Sequence, residues 1–234
     1  VRYCIKGELG DEELKKVTRD SISRASKLAS QYEKALKLLK KEWKPEIVIS
    51  HSGWGCGTYV KTIWPETKHI AYSEWWFNPN SSLFNYDPEN EYLGISKSSI
   101  SKQWPRNSLQ ALELVCADLI VSPTSWQKSQ LPKILQENCV VIYDGIDINK
   151  FNPLPKRKKS GVITYGTRGM EPMRCFPQFI KALPKVLSHT KTHTVEIAGL
   201  DEINYAGKKP GDKTWKEWAV AYLEKNLILD RVKW

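Results

Sequence analysis

Short apolar runs at wide spacing are the feature of this sequence that most limits its possible folds. Each run has four or five residues rich in Ile, Val, Leu or Tyr: Ile47–Ser50, His69–Ser73, Asp118–Ser122 and Val140–Tyr143. Their nearly continuous hydrophobicity is typical of strands buried on both faces of a parallel sheet. Helical patterns separate the later runs, and strands that alternate with helices predict a doubly wound α/β sheet.

Helices are predicted on either side of these strands. A long amphipathic helix is predicted from Asp11 to about Trp43, because apolar residues recur there at three- and four-residue steps. A second helix is predicted over Ser101–Cys116 and a third over Ser125–Gln136. The third helix is predicted to begin with a capping box of Thr124 and Gln127.

The strand and helix pattern restarts after a basic, proline-bearing linker at about Asn149–Ser160. The elements predicted beyond it are a strand, a helix, a strand and a helix: Val162–Tyr165, Pro172–Leu187, Thr194–Ala198 and Thr214–Glu224. Two strands and two helices do not complete a doubly wound domain. We therefore predict an N-terminal domain over residues 1–150 and a partial C-terminal domain over residues 161–234.

Charge and composition narrow the class of protein. The net charge of +10, from 36 Lys and Arg against 26 Asp and Glu, favours anionic partners: nucleic acid, phosphorylated small molecules or acidic lipid headgroups. No apolar run approaches the roughly 20 residues that span a bilayer, and no secretory signal is visible. The five cysteines are scattered without a C-x-x-C pair, which argues against a disulfide framework or a zinc site and for a reducing compartment.

Ligands of parallel sheets bind at the carboxyl ends of the strands, so the residues that follow each strand are candidate site residues. The first strand is followed by HSGWGCG, with His51 at the strand end. Gly53 and Gly55 permit close backbone approach to a ligand, and the amides of this loop are suited to face an anion. The structural alternative is a glycine-rich turn with a hydrogen-bonded histidine.

Glu74 follows the second strand and precedes three aromatic residues, Trp75, Trp76 and Phe77. Aromatic faces suit sugar rings or bases, and the Glu74 carboxylate is suited to bind a hydroxyl or to act as a base. Alternatively, the aromatic residues pack in the core and Glu74 pairs with a lysine. The polar stretch Asn78–Tyr92 is predicted to be a long loop.

Two arginines follow the first strand of the second domain in the sequence GTRGMEPMR. Arg168 and Arg174 present planar donor forks that match phosphate, and Glu171 and Pro172 mark a helix start whose dipole adds to that attraction. The alternative is that Glu171 simply pairs with an arginine at the surface. Asp144, which follows the fourth strand, is assigned instead to a structural turn with Gly145.

Taken in order, several segments resemble a known family: HSGWG, SPTSWQKSQLP, VIYDGIDINKFNP, RGMEPMRCFPQFIKALP and VEIAGLDEINYAG. They resemble family 4 glycosyltransferases of the GT-B fold, and most of all a bacterial branch. That branch carries an H-P-G-W-G motif in its N-domain and an R-x-x-E-P-x-R-G-F pattern at the start of its C-domain. The resemblance covers most of Glu46–Tyr205. It implies a Rossmann-like N-domain with a parallel sheet, here without its first strand, and the beginning of a second Rossmann-like domain.

The resemblance also implies a reaction. Such an enzyme transfers a sugar from a nucleotide-sugar donor to a glycan or lipid-linked acceptor, with retention of configuration and without a metal ion or another cofactor. It implies that Arg168 and Arg174 hold the donor diphosphate and that His51 and Glu74 are catalytic residues near the reacting sugar. Cell-envelope polysaccharide biosynthesis is the process that the family suggests.

The backbone at three glycines is then expected close to the ligand: Gly53, Gly55 and Gly166. The sequence departs from the family pattern at two positions, because Ser52 replaces a proline and Cys175 replaces the glycine after the second arginine. Cys175 thus adds a side chain where the backbone would approach phosphate. The acidic motif of the later C-domain does not occur before Trp234, so we expect a fragment that is inactive alone.

The expected location is the cytoplasm, and the basic surface is compatible with peripheral docking at the inner face of the membrane. No nucleic-acid partner is expected. Two other functions stay open from the residues alone. One is a non-enzymatic, basic anion- or nucleic-acid-binding protein, and the other is a different two-lobed sugar-nucleotide enzyme such as an epimerase.

Overall fold

Two parallel sheets organise the computed structural model, which describes residues 21–81, 92, 104–153, 161–205 and 208–234. The first sheet contains, in spatial order, β1 (Ile47–His51), β2 (Lys68–Tyr72), β3 (Leu119–Ser122) and β4 (Cys139–Val141). The second contains β5 (Val162–Gly169), β6 (Thr194–Leu200) and β7 (Val232–Lys233). Every strand pairing in them is parallel. The prediction of an α/β fold with parallel sheets is confirmed.

Helices connect these strands. The helices of the first part of the chain are α1 (Ser21–Leu39), α2 (Val60–Ile63), α3 (Ser108–Cys116), α4 (Ser125–Gln130) and α5 (Lys133–Glu137). The second part contains α6 (Phe176–Ser188) and α7 (Trp215–Lys225). Short 3-10 turns occur at Trp104–Asn107, Pro172–Arg174 and Leu229–Arg231.

Contacts divide the described residues into two units. The first unit holds residues 21–81 and 104–147, and the second holds the described residues from 148 to 234 together with Tyr92. Tyr92 comes from the stretch that the sequence analysis assigned to a loop of the first domain. Its ring packs edge-to-face on Trp215 of α7, with ring centroids 4.7 Å apart. The second unit therefore includes a residue from within the predicted first domain.

Each unit has its own apolar core. In the second unit, α6 turns one face inward: Phe176, Ile180, Leu183 and Leu187. These side chains pack with buried residues of β6 and α7, among them Val195, Ile197, Trp215 and Leu223. In the first unit, Ala71, Leu114 and Ile120 form a smaller core between the sheet and α3. Burying each large apolar side chain contributes about 1.5–3 kcal/mol before the entropy cost of folding is counted, so the buried face of α6 is a main source of hydrophobic stabilisation in the second unit.

The predicted helix from Asp11 to Trp43 is described as α1 from Ser21, and Asp11 lies outside the described residues. Its predicted end was wrong, since the helix ends at Leu39. Residues 40–42 form a turn in which the amide of Lys41 donates to Leu38 at 3.1 Å and that of Glu42 to Leu39 at 3.0 Å. Such i to i−3 bonds tighten the last turn before the chain leaves the helix.

The predicted helix Ser125–Gln136 is two helices, because Pro132 interrupts it. Leu131 has an extended backbone with ψ of 151°, the conformation that a following proline favours. The Thr124 hydroxyl accepts from the Gln127 amide at 3.1 Å, so this residue caps α4 as predicted. The reciprocal half of the capping box was wrong, since the Gln127 side chain instead donates to the Glu74 carbonyl at 2.8 Å.

The predicted helix Pro172–Leu187 begins later, at Phe176. Pro172–Arg174 form a 3-10 turn, and Cys175 then adopts a left-handed conformation with φ of 57°. A residue in that conformation cannot continue a right-handed helix. The turn and the helix are consequently separate elements, and both arginines precede α6.

Candidate functional site

His51 and Glu74 meet at the carboxyl ends of β1 and β2. The two strands pair in register, with His51 opposite Tyr72, so the residues just beyond them are neighbours. His51 Nε2 lies 3.0 Å from Glu74 Oε2. The side chains stay accessible, at 41% for His51 and 58% for Glu74, as groups that meet a substrate must. The sequence-predicted pair therefore forms one exposed cluster, and the partner of Glu74 is a histidine rather than a lysine.

Both ring nitrogens of His51 face oxygen acceptors. Nδ1 lies 3.0 Å from the Ser52 carbonyl, and Nε2 faces the Glu74 carboxylate. Both contacts are hydrogen bonds when each nitrogen carries a proton. The pair is suited to exchange a proton with a hydroxyl that approaches it.

Tyr72 and Asp144 join this cluster, although the sequence analysis gave neither a site role. The Tyr72 ring centroid lies 5.3 Å from that of His51, and its hydroxyl donates to Asp144 Oδ1 at 2.8 Å. Burial raises the pKa of Tyr72 to about 12, and the Asp144 hydrogen bond and the charges of Asp144 and Glu74 contribute to the rise. The phenol therefore stays a proton donor. Asp144 lies three residues beyond the end of β4, and this position after a strand was the available signal.

Gln110 on α3 ties the loops after β1 and β2 together. Its side chain is only 3% exposed, and Nε2 donates to the Trp75 carbonyl at 2.6 Å and to Ser52 Oγ at 3.1 Å. These acceptors neighbour His51 and Glu74 in sequence. Sequence reasoning missed Gln110, although a polar residue on the buried face of an amphipathic helix marks such a role.

Glu113 is fully buried beneath the glycine-rich loop. Its Oε1 accepts a hydrogen bond from the Ser50 hydroxyl at 2.6 Å. Burial raises the pKa of Glu113, whereas the Ser50 hydrogen bond, the backbone amides of Gly57 and Gly53 and the charge of His51 oppose this rise. The loop amides of Gly53 and Gly57 therefore face an internal carboxyl group, that of Glu113.

His69 extends the buried chain of polar groups. Its Nε2 lies 2.8 Å from Ser50 Oγ, and both residues are buried. Because the Ser50 hydroxyl gives its proton to Glu113, it accepts from His69 Nε2, which leaves Nδ1 unprotonated. Burial lowers the pKa of His69, in keeping with this neutral ring. His69, Ser50 and Glu113 thus form a buried relay of hydrogen bonds under the glycine-rich loop, in which His69 donates to Ser50 and Ser50 donates to Glu113.

The three glycines of the loop have different surroundings. Gly53 is exposed with φ of 88° and is open to a ligand. Gly55 is buried with φ of 79°, and a Cβ there would lie 3.0 Å from the backbone of Ala29 on α1. At Gly57 a Cβ would lie 2.0 Å from Glu113 Oε1. Gly55 and Gly57 therefore serve close packing, and only Gly53 of the three is exposed.

The aromatic residues after Glu74 serve packing more than ligand contact. Trp76 is 6% exposed and joins the core, which confirms the structural alternative for this residue. Trp75 packs against Trp126, with ring centroids 5.9 Å apart. Phe77 lies under the guanidinium of Arg106 at 4.2 Å.

Arg168 and Arg174 come together in the second unit around Tyr205. Their Cζ atoms lie 5.8 and 4.7 Å from the centroid of the Tyr205 ring. Arg168 Nη1 also donates to the Tyr205 hydroxyl at 3.3 Å. All three side chains are exposed. The sequence-predicted pair is therefore one cationic cluster, and Tyr205, from the loop after β6, is its unpredicted centre.

Glu171 anchors this cluster from below. It is fully buried, and Oε2 accepts from the amides of Asn204 at 3.0 Å and Tyr205 at 2.8 Å. Its Oε1 lies 3.9 Å from Arg174 Nε. The alternative that Glu171 pairs with an arginine is confirmed, with Arg174 as its partner, but its surface position was wrong, because Glu171 is buried and also binds backbone amides. Glu171 thereby joins the arginine loop to the Tyr205 loop.

The backbone around the arginines is also held in place. Tyr165 donates its hydroxyl proton to the Arg174 carbonyl at 2.7 Å. Gly169 packs so tightly that a Cβ would lie 2.3 Å from Asn204 Nδ2. Gly166 is different, since it is exposed and a Cβ there would meet nothing within 4 Å. Gly166 thus stays open to an approaching ligand.

A cavity of about 330 Å³ lies at the same sheet edge. It is lined by residues that follow β5 and β6 and by the start of α7, among them Met170, Asp201, Glu202 and Trp215. Its volume falls at the lower end of the range for small-molecule sites, about 300–1,000 Å³. Carboxylates, an indole and Lys209 give it a polar lining.

Two further features concern only the described part of the chain. None of its helices has the length and apolar character that crossing a bilayer requires. Within the same residues, no three His, Cys, Asp or Glu side chains form a group that could hold a metal ion.

The family model of the glycosyl transferase family 4 group matches residues 1–151. The chain belongs to this family. The match includes the glycine-rich loop and the strand ends that carry His51, Glu74 and Asp144. It agrees with the resemblance found in the motifs, and no curated protein matches the chain.

Solved structures with a similar fold include the crystal structure of TarM, at 14% identity and a TM-score of 0.52. The match covers 87% of this chain and 35% of TarM, so the chain spans about a third of that protein's length. A variant of S. aureus TarM, solved with fondaparinux, α-GlcNAc-glycerol and UDP, has 15% identity, a TM-score of 0.49 and coverages of 86% and 36%. A UDP-N-acetylglucosamine 2-epimerase has 16% identity, a TM-score of 0.43 and coverages of 94% and 51%. The likeness to TarM shows a shared fold.

Proposed function

We propose that this family 4 chain takes part in glycosyl transfer from a nucleotide-sugar donor to a hydroxyl of a glycan or lipid-linked acceptor. The observation that carries the proposal is the meeting of Arg168 and Arg174 at the carboxyl edge of the second sheet. Two exposed guanidinium groups at this edge, in a member of this family, match the two phosphates of a nucleotide-sugar donor.

Arg168 and Arg174 have a clear electrostatic task in such a reaction. When the bond between sugar and phosphate breaks, negative charge grows on the departing diphosphate. Guanidinium groups already in place stabilise that charge without having to reorganise. They also supply positive charge of the kind that a divalent cation supplies in other transferases, so we propose that the reaction is metal-independent. Retention of anomeric configuration is proposed from the family resemblance.

His51 and Glu74 are proposed to act on the reacting sugar or the acceptor. A shared proton between an imidazole and a carboxylate suits hydrogen bonding to a sugar hydroxyl or removal of a proton from an attacking one. Tyr72, whose hydroxyl proton is donated to Asp144, adds a neutral hydrogen-bond acceptor beside the pair. We also propose peripheral association with an anionic membrane surface in the cytoplasm, to which the net charge of +10 would be attracted.

The donor assignment is tested by calorimetric titration of UDP, ADP and GDP into the native protein. Arg168→Ala and Arg174→Ala should each weaken binding ten- to a hundredfold, about 1.5–3 kcal/mol for charged hydrogen bonds. Lys181→Ala, which removes an exposed cation from α6, is the matched control for net charge. Unchanged affinity in both arginine variants would rule out the donor site.

The catalytic assignment needs a separate measurement. His51→Asn and Glu74→Gln should lower kcat while leaving nucleoside diphosphate affinity unchanged, because the pair is proposed to act on the sugar or the acceptor, and a nucleoside diphosphate contains neither. NMR of the product anomer tests retention, and activity in a chelator tests metal independence. A normal kcat in both variants would remove the pair from the mechanism.

A further inference from the structure

We propose that Tyr205 is a positioning residue, which aligns Arg168 and Arg174 so that together they bind a diphosphate. The proposal rests on the proposed function, because it concerns the same donor site. Its basis is one juxtaposition: two guanidinium groups share a single tyrosine ring, at 4.7 and 5.8 Å from the ring centroid.

The two arginines carry like charges and repel one another, so without an anion they would separate in solvent. The negative face of an aromatic ring attracts each cation and opposes that separation. Contact with the ring leaves most of the donor edge of each guanidinium free, because stacking does not consume N–H groups. One donor, Arg168 Nη1, is spent on the Tyr205 hydroxyl. Arg174 Nε faces Glu171, and the terminal nitrogens of the two guanidinium groups are the donors that we expect to meet phosphate oxygens.

Tyr205 is itself fixed by the interior of the unit. Its amide donates to the buried Glu171 carboxylate at 2.8 Å. The same carboxylate lies 3.9 Å from Arg174 Nε, so Arg174 lies between a buried anion and an aromatic face. The Tyr165 hydroxyl holds the Arg174 carbonyl. The backbones that carry the ring and this arginine are therefore fixed, and ligand binding has less side-chain freedom to remove.

Substitutions of Tyr205 separate the contribution of its ring to anion affinity from that of its hydroxyl. Titration of inorganic pyrophosphate into the whole chain by calorimetry, at low and moderate salt, measures the anion site directly. Tyr205→Leu should weaken binding about five- to tenfold, because each cation–π contact at an exposed site is modest and two are lost. Tyr205→Phe keeps the ring and should bind within about twofold of the wild type. Tyr205→Trp should bind at least as tightly as Phe, since an indole attracts cations best.

Measuring the effect of Tyr205→Leu on pyrophosphate affinity in the Arg174→Ala variant distinguishes a positioning role from a merely structural one. If Tyr205 acts through Arg174, Tyr205→Leu should cost much less affinity there than in the wild type. Loss of affinity in Tyr205→Leu with a normal unfolding midpoint, together with rescue by Phe and Trp, supports the proposal. Equal binding by the Leu, Phe and Trp variants, or an equal Leu effect in both backgrounds, would overturn it.

The arginine variants distinguish this failure from a failure of the proposed function. If Arg168→Ala and Arg174→Ala leave pyrophosphate binding intact, the donor site itself is wrong. If they weaken it and Tyr205→Leu does not, only the role of Tyr205 is wrong. If Tyr205→Leu unfolds the unit, the order of pyrophosphate affinities among the proteins with Trp, Tyr or Phe at position 205 still tests the proposal. Weaker binding by Trp than by Phe would contradict a cation–π role.

Discussion

The candidate sites of the two units hold their polar groups in opposite ways. In the first unit, His51 and Glu74 lie above buried polar side chains, including Gln110 and Glu113. In the second, the arginines lie on an exposed tyrosine, and one buried carboxylate, Glu171, binds the loop backbones below.

The difference has an energetic consequence. Buried hydrogen bonds have no competing water, so losing one partner costs the desolvation of the other. Contacts between exposed groups are screened and worth little individually. Mutations under the first site should therefore act mainly on stability, and mutations around the second mainly on anion affinity.

The largest expected effect is at Gly57. In Gly57→Ala the new Cβ would lie 2.0 Å from Glu113 Oε1 and 2.3 Å from Ser50 Oγ, so the buried relay must move. We expect a loss of about 3 kcal/mol in the free energy of unfolding, measured by urea denaturation. Gly166→Ala is the control in the second unit, where nothing lies within 4 Å, and should change stability by less than about 0.5 kcal/mol. Equal effects of the two substitutions would contradict the comparison.

The next expected effect is the pH dependence that Glu113 confers. Its pKa is raised by burial above the ordinary 4.5, so its contribution to stability is fully present below that pH and is lost as pH rises through the folded-state pKa. A tenfold difference in proton affinity between the folded and unfolded states corresponds to about 1.4 kcal/mol of stability. Glu113→Gln removes this loss, so the variant should gain stability relative to the wild type as pH rises above 4.5.

His69 has the opposite dependence, since its lowered pKa makes stability fall as pH drops below 6.5. The histidine is present in both proteins, so its effect largely cancels in the difference. Urea denaturation of the two proteins between about pH 4 and pH 8 tests the slope. A difference that stays constant over this range would show that Glu113 does not titrate there.

The smallest expected effect is at Cys175, which occupies a left-handed conformation with φ of 57°. Cys175→Gly should stabilise the protein by about 1 kcal/mol, because glycine adopts this conformation without steric cost and the exposed thiol loses no packing. Thermal unfolding measures the gain. Cys175→Ala keeps the strain and should show none of it, and Leu227→Gly, at φ of 56°, should reproduce it. A gain in the alanine variant would mean that the thiol, and not the backbone, is unfavourable.

Much of the fold followed from local patterns. Short apolar runs predicted the positions of β1 to β6. Burial on both faces was wrong for β1, where Ile47 and Ile49 are exposed. The predicted end of β5 at Tyr165 was also wrong, since the strand continues to Gly169 and contains Arg168. Thr124 was recognised as a cap because the bond joins groups only three residues apart. Helix ends were less predictable, as at Leu39 and Gln130, because turn bonds and a proline outweighed the apolar period.

The candidate site residues could be predicted from their residue type and their position at strand ends. The side chains that contact them could not. His51, Glu74, Arg168 and Arg174 were found because carboxyl ends of parallel strands converge. Gln110 and Glu113 were missed, since a helical pattern shows which face is buried but not which polar groups that face meets. Tyr205 was missed for a different reason: it lies in the loop after β6, and its contact with Arg168 joins residues 37 positions apart.

The sequence by itself determined the parallel α/β class, the family and the residue types at the ligand edge, because these depend on burial periods and short motifs. Tertiary structure alone decided that Glu113 meets Ser50 across 63 positions and that Tyr205 meets Glu171 across 34. Such pairs form only when folding closes long loops, and the entropy of closure is offset by the packing of many residues together. No local sequence pattern encodes this balance between closure entropy and packing. The residues that hold both sites in place could therefore be identified only in the folded chain.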